Sequence, residues 1–332
     1  MWGKTIVNKG ASILLCLCIL PAMPSFAQIY DMREMATVDI RNLDLNRTVI
    51  IIPEGILEEH GPYLPSYTDG YRNEYFAQRV AESIVERDGW AVLIFPPIPL
   101  GTGGANQIAK RHIFPGTYHV HFSTLRAMFM DLASEFGEAG FEWVFVISHH
   151  GAQRHQLALD QASDFFTDTY DGTMVYLSGL IPDEPVSPQL NLSNQEQSIN
   201  GLDPHSGMSE TSEMLFIRPG LVRPGYQNAE PETGENWRDL INRGAKDEWP
   251  GYFGAPSLAT ASRGARIMEA RLTELSDLAL RILDGFDHRS LQRRSDAQLE
   301  DEAIREYNAA GLEHASRIQQ MQQQWLERRG LR

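Results

Sequence analysis

The sequence predicts an α/β fold: a three-layer α/β/α domain on a mostly parallel central sheet. Two observations carry this. Short runs that are apolar from end to end recur at 48–52, 91–97, 143–148 and 173–178, and strands without polar alternation are those covered on both faces. Between most of them lie longer stretches in which apolar residues return every three or four positions, at 72–87, 123–139 and 153–167. That is the period of helices burying one face, and alternation of strand with helix builds parallel sheets.

Taken in order, the chain begins with a targeting segment. Lys4 and Lys9 precede an apolar run around Ile13-Leu14-Leu15-Cys16-Leu17-Cys18-Ile19-Leu20, and Ser25-Phe26-Ala27 offers a small-residue cleavage site before Gln28. This is the layout of a secretory signal peptide over residues 1–27, with an apolar run short for a bilayer span. It predicts a periplasmic or secreted protein, free of the membrane once cleaved; a retained N-terminal anchor is the alternative. A lipoprotein signal is disfavoured because Leu14-Leu15 stands where a small residue should precede Cys16. Both cysteines, Cys16 and Cys18, fall in this segment. The rest of the chain therefore has no disulfide, thiolate ligand or cysteine nucleophile.

The main domain is expected over 28–285. Strand 48–52, helix 72–87, strand 91–97 and helix 123–139 follow one another, with Ser123 or Thr124 as candidate cap and Gly140 as the residue that ends the helix. Strand 143–148, helix 153–167 and strand 173–178 complete the alternation. Residues 181–204, with Pro182, Pro185 and Pro188, read as a surface loop. Segment 219–262, with Trp237, Trp249, Tyr252 and Phe253, reads as a lid, a subunit contact or plain packing. Helical periodicity returns at 264–285. A charged helix at about 297–328 lacks sustained heptads, so residues 286–332 are expected to form a C-terminal helical extension used for docking or oligomer contact.

Twenty-nine Lys and Arg against 44 Asp and Glu leave a net charge of −15, more negative still without Lys4 and Lys9. Such a chain repels phosphate backbones and anionic lipid. A small molecule is the expected partner, not nucleic acid.

The segment richest in chemistry is Pro53-Glu54-Gly55-Ile56-Leu57-Glu58-Glu59-His60-Gly61-Pro62-Tyr63-Leu64-Pro65-Ser66-Tyr67-Thr68-Asp69. In an extended segment residues i and i+2 point the same way, so Glu58 and His60 can reach one site. Carboxylate with imidazole suits zinc, manganese or iron better than calcium. A second cluster, Ser148-His149-His150-Gly151-Ala152-Gln153-Arg154-His155, follows a buried strand and holds three of the ten histidines. It sits on the sheet edge where open α/β folds bind ligands. A third, His205-Ser206-Gly207-Met208-Ser209-Glu210-Thr211-Ser212, begins a helix near Gly207. Taken alone, it fits helix capping by Ser206 or Ser209, with Glu210 or Glu213 near the positive end of the dipole. A fourth, Arg111 to Thr117, is a turn in which His112 is either a ligand contact or a turn residue. No Gly-x-Ser-x-Gly nucleophile or phosphate-binding Gly-x-x-x-x-Gly-Lys appears. Gly101-Thr102-Gly103-Gly104-Ala105-Asn106 lacks the lysine and reads as a loop near the active site.

Together these pieces resemble the creatininase (creatinine amidohydrolase) family over about residues 46 to 272. The family's Gly-x-x-Glu-x-His-Gly-Pro-His-Leu-Pro followed by Thr-Asp is similar to Gly55 through Pro65, then Thr68-Asp69. Its Phe-Pro-Gly-Thr is kept at Phe114 to Thr117. His205 to Ser212 resembles its His-Ala-Gly-x-x-Glu-Thr-Ser, and Gly254-Ala255-Pro256 its Gly-Asp-Pro. The resemblance implies two divalent metal ions per chain, zinc first, with manganese or iron as alternatives. Glu58 and His60 would bind different ions, Asp69 would bridge them, His150 would be a ligand, and Glu210 would complete the second ion's shell. His205 would shuttle a proton. The resemblance also implies a homo-oligomer, often a hexamer.

The chain departs from the pattern as well. The family's Asn-Gly-His-Gly-Gly-Asn has become Ser148 to Gln153, and Ala152 stands where creatininase itself has a glutamate ligand, which puts creatinine in doubt as substrate. Tyr63 replaces a second histidine and Met208 a frequent glutamate. Tyr63, His112 and His149 are the candidate substrate contacts, His205 and Glu210 the candidate catalytic residues. The expectation is a dinuclear metal-dependent hydrolase of an amide or lactam C–N bond. The alternatives are hydrolysis of a lactone or ketone, or a metal- or ligand-binding module without catalysis.

Overall fold

The computed structural model describes residues 28–182 and 192–331; the expected signal peptide and part of loop 181–204 lie outside the described residues. Five strands, β1 (Gln28–Asp31), β2 (Thr48–Pro53), β3 (Ala91–Ile94), β4 (Trp143–Ile147) and β5 (Thr173–Tyr176), pair in the order β1-β3-β2-β4-β5, every pair parallel. The helices in chain order are α1 (Thr37–Arg41), α2 (Thr68–Val85), α3 (Phe122–Glu138), α4 (Gln153–Thr169), α5 (Asn194–Asn200), α6 (Met208–Ile217), α7 (Trp237–Gly244), α8 (Ala261–Leu283), α9 (Arg294–Ala297) and α10 (Glu302–Arg328).

Side-chain alternation assigns the layers. Val49 and Ile51 of β2 join Phe145 of β4 on one face, packed against Phe76 and Val80 of α2 and Met268 and Leu275 of α8. Ile50 and Ile52 face the other way with Val144 and Val146, against Phe129 of α3 and Leu159 of α4. Both faces are buried, which is why these strands are apolar throughout. The three-layer α/β/α fold is present. From β2 the chain moves to β3 on one side, whereas from β4 it moves to β5 on the other. The crevice between the C-terminal ends of β2 and β4 is thus the switch point where such sheets bind ligands.

Several boundaries differ from the sequence expectation. β1 has no apolar run to announce it and adds an edge strand. Helix α2 begins at Thr68, which puts Asp69 in its first turn. Helix α3 begins at Phe122 with His121 as an N-cap that makes no side-chain bond. Ser123 is therefore already helical, and its hydroxyl instead accepts from Gln319 Nε2 at 3.2 Å. Gly140 does end that helix, at φ 87°. Loop 181–204 contains α5, capped by Ser193, whose Oγ accepts from the Glu196 N–H at 3.2 Å.

Of the three readings open for the aromatic segment, packing is the one seen. Trp249 and Phe253 form a third apolar cluster with Leu240, Ile241 and Ala303. The C-terminal extension docks on its own chain. Asn308 Nδ2 donates to Gln153 Oε1 (3.3 Å), Gln298 Nε2 to the Gly151 carbonyl (3.0 Å), and Ser295 Oγ to Asp160 (2.5 Å). Helix α10 thereby lies across the starts of α3 and α4. No helix among the described residues is long and apolar enough to cross a membrane.

Candidate metal centre

The loop after β2 and the start of α2 meet backbone to backbone. A Cβ on Gly55 would come within 2.7 Å of the Gly70 N, so only glycine permits the approach that sets Asp69 beside Glu58 and His60. The turn after β4 supplies His150, and the segment before α6 supplies His205 and Glu210. Glu58, His60, Asp69, His150 and His205 are buried, Glu210 half-buried. Three sets of donor atoms each lie within 4.8 Å of one another: Glu58, Asp69 and His150; His60, Asp69 and Glu210; Glu58, His60 and His205.

The histidines share one hydrogen-bonding pattern. His60 Nδ1 lies 3.0 Å from the Glu58 carbonyl, His150 Nε2 3.2 Å from the Thr102 carbonyl, and His205 Nε2 2.7 Å from the Glu59 carbonyl. A carbonyl only accepts, so each of these nitrogens carries hydrogen, and the other nitrogen of each ring turns to the carboxylates. His60 Nε2 is 3.6 Å from Glu210 and 3.8 Å from Asp69. His150 Nδ1 is 3.0 Å from Glu58 and 3.3 Å from Asp69, and His205 Nδ1 is 3.9 Å from Glu58. Imidazoles that ligate metals are oriented this way, by a bond from the far nitrogen. His60 Nε2 and Asp69 Oδ2 are moreover buried with no hydrogen-bond partner. Buried polar atoms are seldom left so, and oxygen and imidazole nitrogen are a donor set that a divalent transition ion satisfies. The residues fit a metal.

Electrostatics agree. Burial pushes Glu58 upward, but His150, His205 and His60 outweigh it and hold the carboxyl at about 2. Burial pushes His205 down, yet Glu58 and Glu59 raise it to about 10. His150 is raised well above its ordinary value by Glu58 and Asp69, again against burial. Without ions, protons on the histidines supply the positive charge that the carboxylates require.

Two residues outside the candidate ligand set brace the cluster: Arg72, which the sequence did not single out, and Glu213, read there only as favourable to the helix dipole. Buried Arg72 reaches Asp69 (3.2 Å), Glu210 (2.6 Å) and Glu213 (2.5 Å). Arg72 stands three after Asp69 and Glu213 three after Glu210, each pair one helical turn apart. That spacing was the available signal. The Gly-rich loop closes the other side, where the Ala105 N–H donates to Glu58 Oε1 and Thr102 receives His150. His155 stands behind His150, its Nε2 2.8 Å from Glu54.

The candidate substrate contacts fare differently. His149 is a correction: its ring stacks on Phe76 at 4.5 Å, and its Nδ1 lies 2.8 Å from Asn73 Oδ1. Neighbouring residues of an extended segment point to opposite sides, so His150 facing the cluster turns His149 away. Burial, Arg271 and Arg72 keep it well below its ordinary pKa, hence neutral. His112 stacks face to face on His314 of α10, 4.4 Å apart, outside the ligand sets. Tyr63 is half-buried, 6.2 Å from the Tyr252 ring.

Comparison with known proteins points the same way. The model of the Creatininase family, described as creatinine amidohydrolase, matches residues 33–279. The mycofactocin precursor peptide peptidase of Mycolicibacterium smegmatis is 26% identical over 253 residues, covering 73% of this chain and 89% of its own. The creatinine amidohydrolase of Pseudomonas putida is 24% identical over 239 residues, covering 69% and 87%. Among solved structures, one named "Creatininase Mn" superposes with a TM-score of 0.56 at 19% identity, over 74% of this chain and 95% of that one. A glutamate-to-glutamine creatininase variant of "Zn-Zn type" gives 0.56 at 19%, over 76% and 96%.

Proposed function

The chain belongs to the creatininase family of metal-dependent amidohydrolases, and on that premise we propose a dinuclear hydrolase that cleaves an amide or lactam C–N bond in a small molecule. The observation that carries the reading is the shared orientation of His60, His150 and His205, each spending one nitrogen on a backbone carbonyl and aiming the other at carboxylates. Glu58, Asp69 and His150 would hold one ion; His60, Asp69 and Glu210 would hold the other, with Asp69 common to both sets. Glu210 takes the place left open by Ala152, since it reaches His60 from the first turn of α6. Zinc and manganese both suit these donors, and related structures are named for each.

When bound, a pair of such ions would supply an activated water and polarise the amide carbonyl. The chain's own residues do the rest. Arg72 fixes Asp69 and Glu210, so the ligand carboxylates cannot swing away. His205, anchored through Nε2 to the Glu59 carbonyl, presents Nδ1 toward Glu58 and can pass a proton to the departing nitrogen. As water adds to the carbonyl carbon it gives one proton to His205, and the C–N bond breaks as His205 passes that proton to the departing amine. Burial of the ligand set excludes bulk water, which strengthens each of these interactions.

The peptidase and the amidohydrolase among the relatives are both named for cleaving amide bonds, which favours an amide over a lactone or ketone. Cleavage after Ala27, at the end of the signal-like segment 1–27, would make this a periplasmic or secreted enzyme, and N-terminal sequencing of the exported protein should start at Gln28. Ile113 and Tyr118 are exposed at 86% and 69% on one turn, an apolar pair suited to a subunit contact. The proposed homo-oligomer, a hexamer by family likeness, is checked by light scattering.

The activity test is hydrolysis of a panel of amides and lactams by metal-loaded protein, chelated protein and Glu58→Gln. Turnover confined to the loaded wild type is expected. Stoichiometric metal without turnover on any amide would favour the binding module instead.

A further inference from the structure

A cavity of about 350 Å³ opens between α10 and the loops beside the metal centre. It touches that centre through Thr102, whose carbonyl receives His150, and through Ala152, two residues beyond His150. Among the described residues no acidic side chain lines this cavity. Its cationic and imidazole lining is Arg154, His119, His121 and His314, beside neutral amides such as Gln107 and Asn308, with Leu312 and Ile318 as apolar wall.

Arg154 is the central observation. Among the described residues it has no carboxylate partner; its guanidinium lies over the Phe122 ring at 4.7 Å. Burial lowers its pKa and no neighbouring anion raises it back. A half-buried cation without an anion is costly. Stacking occupies its face and leaves its edge of N–H donors free, the geometry that grips a carboxylate with two bonds.

Of the histidines beside it, one has a nitrogen without a partner and another is set to donate. His119 Nδ1 is buried with no partner. His314 Nδ1 lies 3.1 Å from the Arg317 guanidinium, which only donates, so the hydrogen of a neutral His314 sits on Nε2. Helices α3 and α4 both start at this cavity, at His121 and Ala152, and neither cap residue bonds its own helix through a side chain. Two positive helix ends thus converge on the space that Arg154 faces. Helix α10 closes it from above, with Gly311 near Gln107 Oε1, to which a Cβ there would come within 2.8 Å.

We propose that this cavity binds a carboxylate of the substrate, and that the enzyme cleaves amides bearing a free carboxylate next to an apolar side chain, such as N-acyl amino acids or the ends of short peptides. The substrate half of this rests on the hydrolase reading; the binding half does not. The volume lies at the small end of ligand pockets, enough for an amino-acid residue.

The test is calorimetric binding of isocaproate against its alcohol, isohexanol, neither of which can be hydrolysed, to the full mature chain before and after chelation. The acid should bind about tenfold to a hundredfold more tightly than the alcohol, the worth of hydrogen bonds to a charged group. That preference should survive metal removal and vanish in Arg154→Met. His314→Leu, on the half-exposed helix wall, should weaken the acid about threefold to tenfold and leave the alcohol unchanged. Equal affinity of folded wild type for acid and alcohol overturns the proposal, as does a preference lost on chelation, which would assign the acid to the metals. Because nothing is turned over, inactivity toward amides would sink the hydrolase reading without moving this result.

Discussion

The metal centre and the cavity beneath α10 adjoin at Thr102 and Ala152, yet their chemistry is opposite. In the first, carboxylates from Glu58, Asp69 and Glu210 surround imidazole nitrogens, of which His60 Nε2 makes no hydrogen bond. In the second no carboxylate lies among the described lining residues, and an arginine waits without an anion. One site is built to attract cations and the other an anion, a few residues apart on the same sheet edge. The contrast separates reaction from recognition. The centre lies wholly within the matched span 33–279, whereas His314, Leu312 and Ile318 lie beyond it. The candidate ligands thus fall inside the family-matched span, and one wall of the neighbouring cavity falls outside it.

Breaking the centre should have the largest effect. Asp69→Ala removes the residue shared by both ligand sets and is expected to abolish metal binding and activity together. A variant that keeps two ions would show the bridging role to be wrong. His205→Asn should keep the metals and lower turnover by about 10² to 10⁴-fold, the usual worth of a positioned proton donor. Unchanged turnover removes His205 from the mechanism.

Breaking the cavity should act differently. Arg154→Met is expected to raise KM for carboxylate-bearing amides about tenfold to a hundredfold with kcat little changed, since the lost contact is made equally in ground and transition states. Neutral amides should be untouched; an equal loss on both substrate classes would place Arg154 in the reaction itself.

The smallest effect is the pH dependence of metal-free stability. Glu58, held at about 2, contributes stability that is present above its ordinary 4.5 and lost as pH falls toward 2. His205, held at about 10, contributes stability present below its ordinary 6.5 and lost as pH rises toward 10. Chelated protein should therefore melt highest between 4.5 and 6.5 and lose Tm above that window. Adding zinc should flatten the alkaline side, because ions then replace the protons. A Tm of chelated protein that climbs from pH 6.5 to 10 contradicts the charge balance.

The same contrast explains what could be read from the sequence. Glu58 and His60 lie two apart in one loop, so their spacing alone suggested a shared site, whereas Asp69 entered through the family resemblance. The sheet was legible because strands buried on both faces leave continuous apolar runs. Arg72 and the bracing role of Glu213 escaped because the i,i+3 spacing puts each beside a ligand on its own helix, whereas their meeting depends on how α2 packs on α6. The cavity escaped for a stronger reason. Its lining comes from 102–124, 152–154 and 308–322, and only the docking of α10 turns those scattered donors into one site. His149 was misplaced because adjacency suggested a shared site where backbone geometry sends neighbours apart.

The central claim is that the chain holds two divalent ions between Glu58, His60, Asp69, His150 and Glu210. Elemental mass spectrometry of the mature protein, purified without chelators and compared with Glu58→Ala/His150→Ala, tests it most directly. About two ions per chain, lost in the variant, is the expected result for such a paired site. Near-zero metal in the wild type even after reconstitution would contradict it.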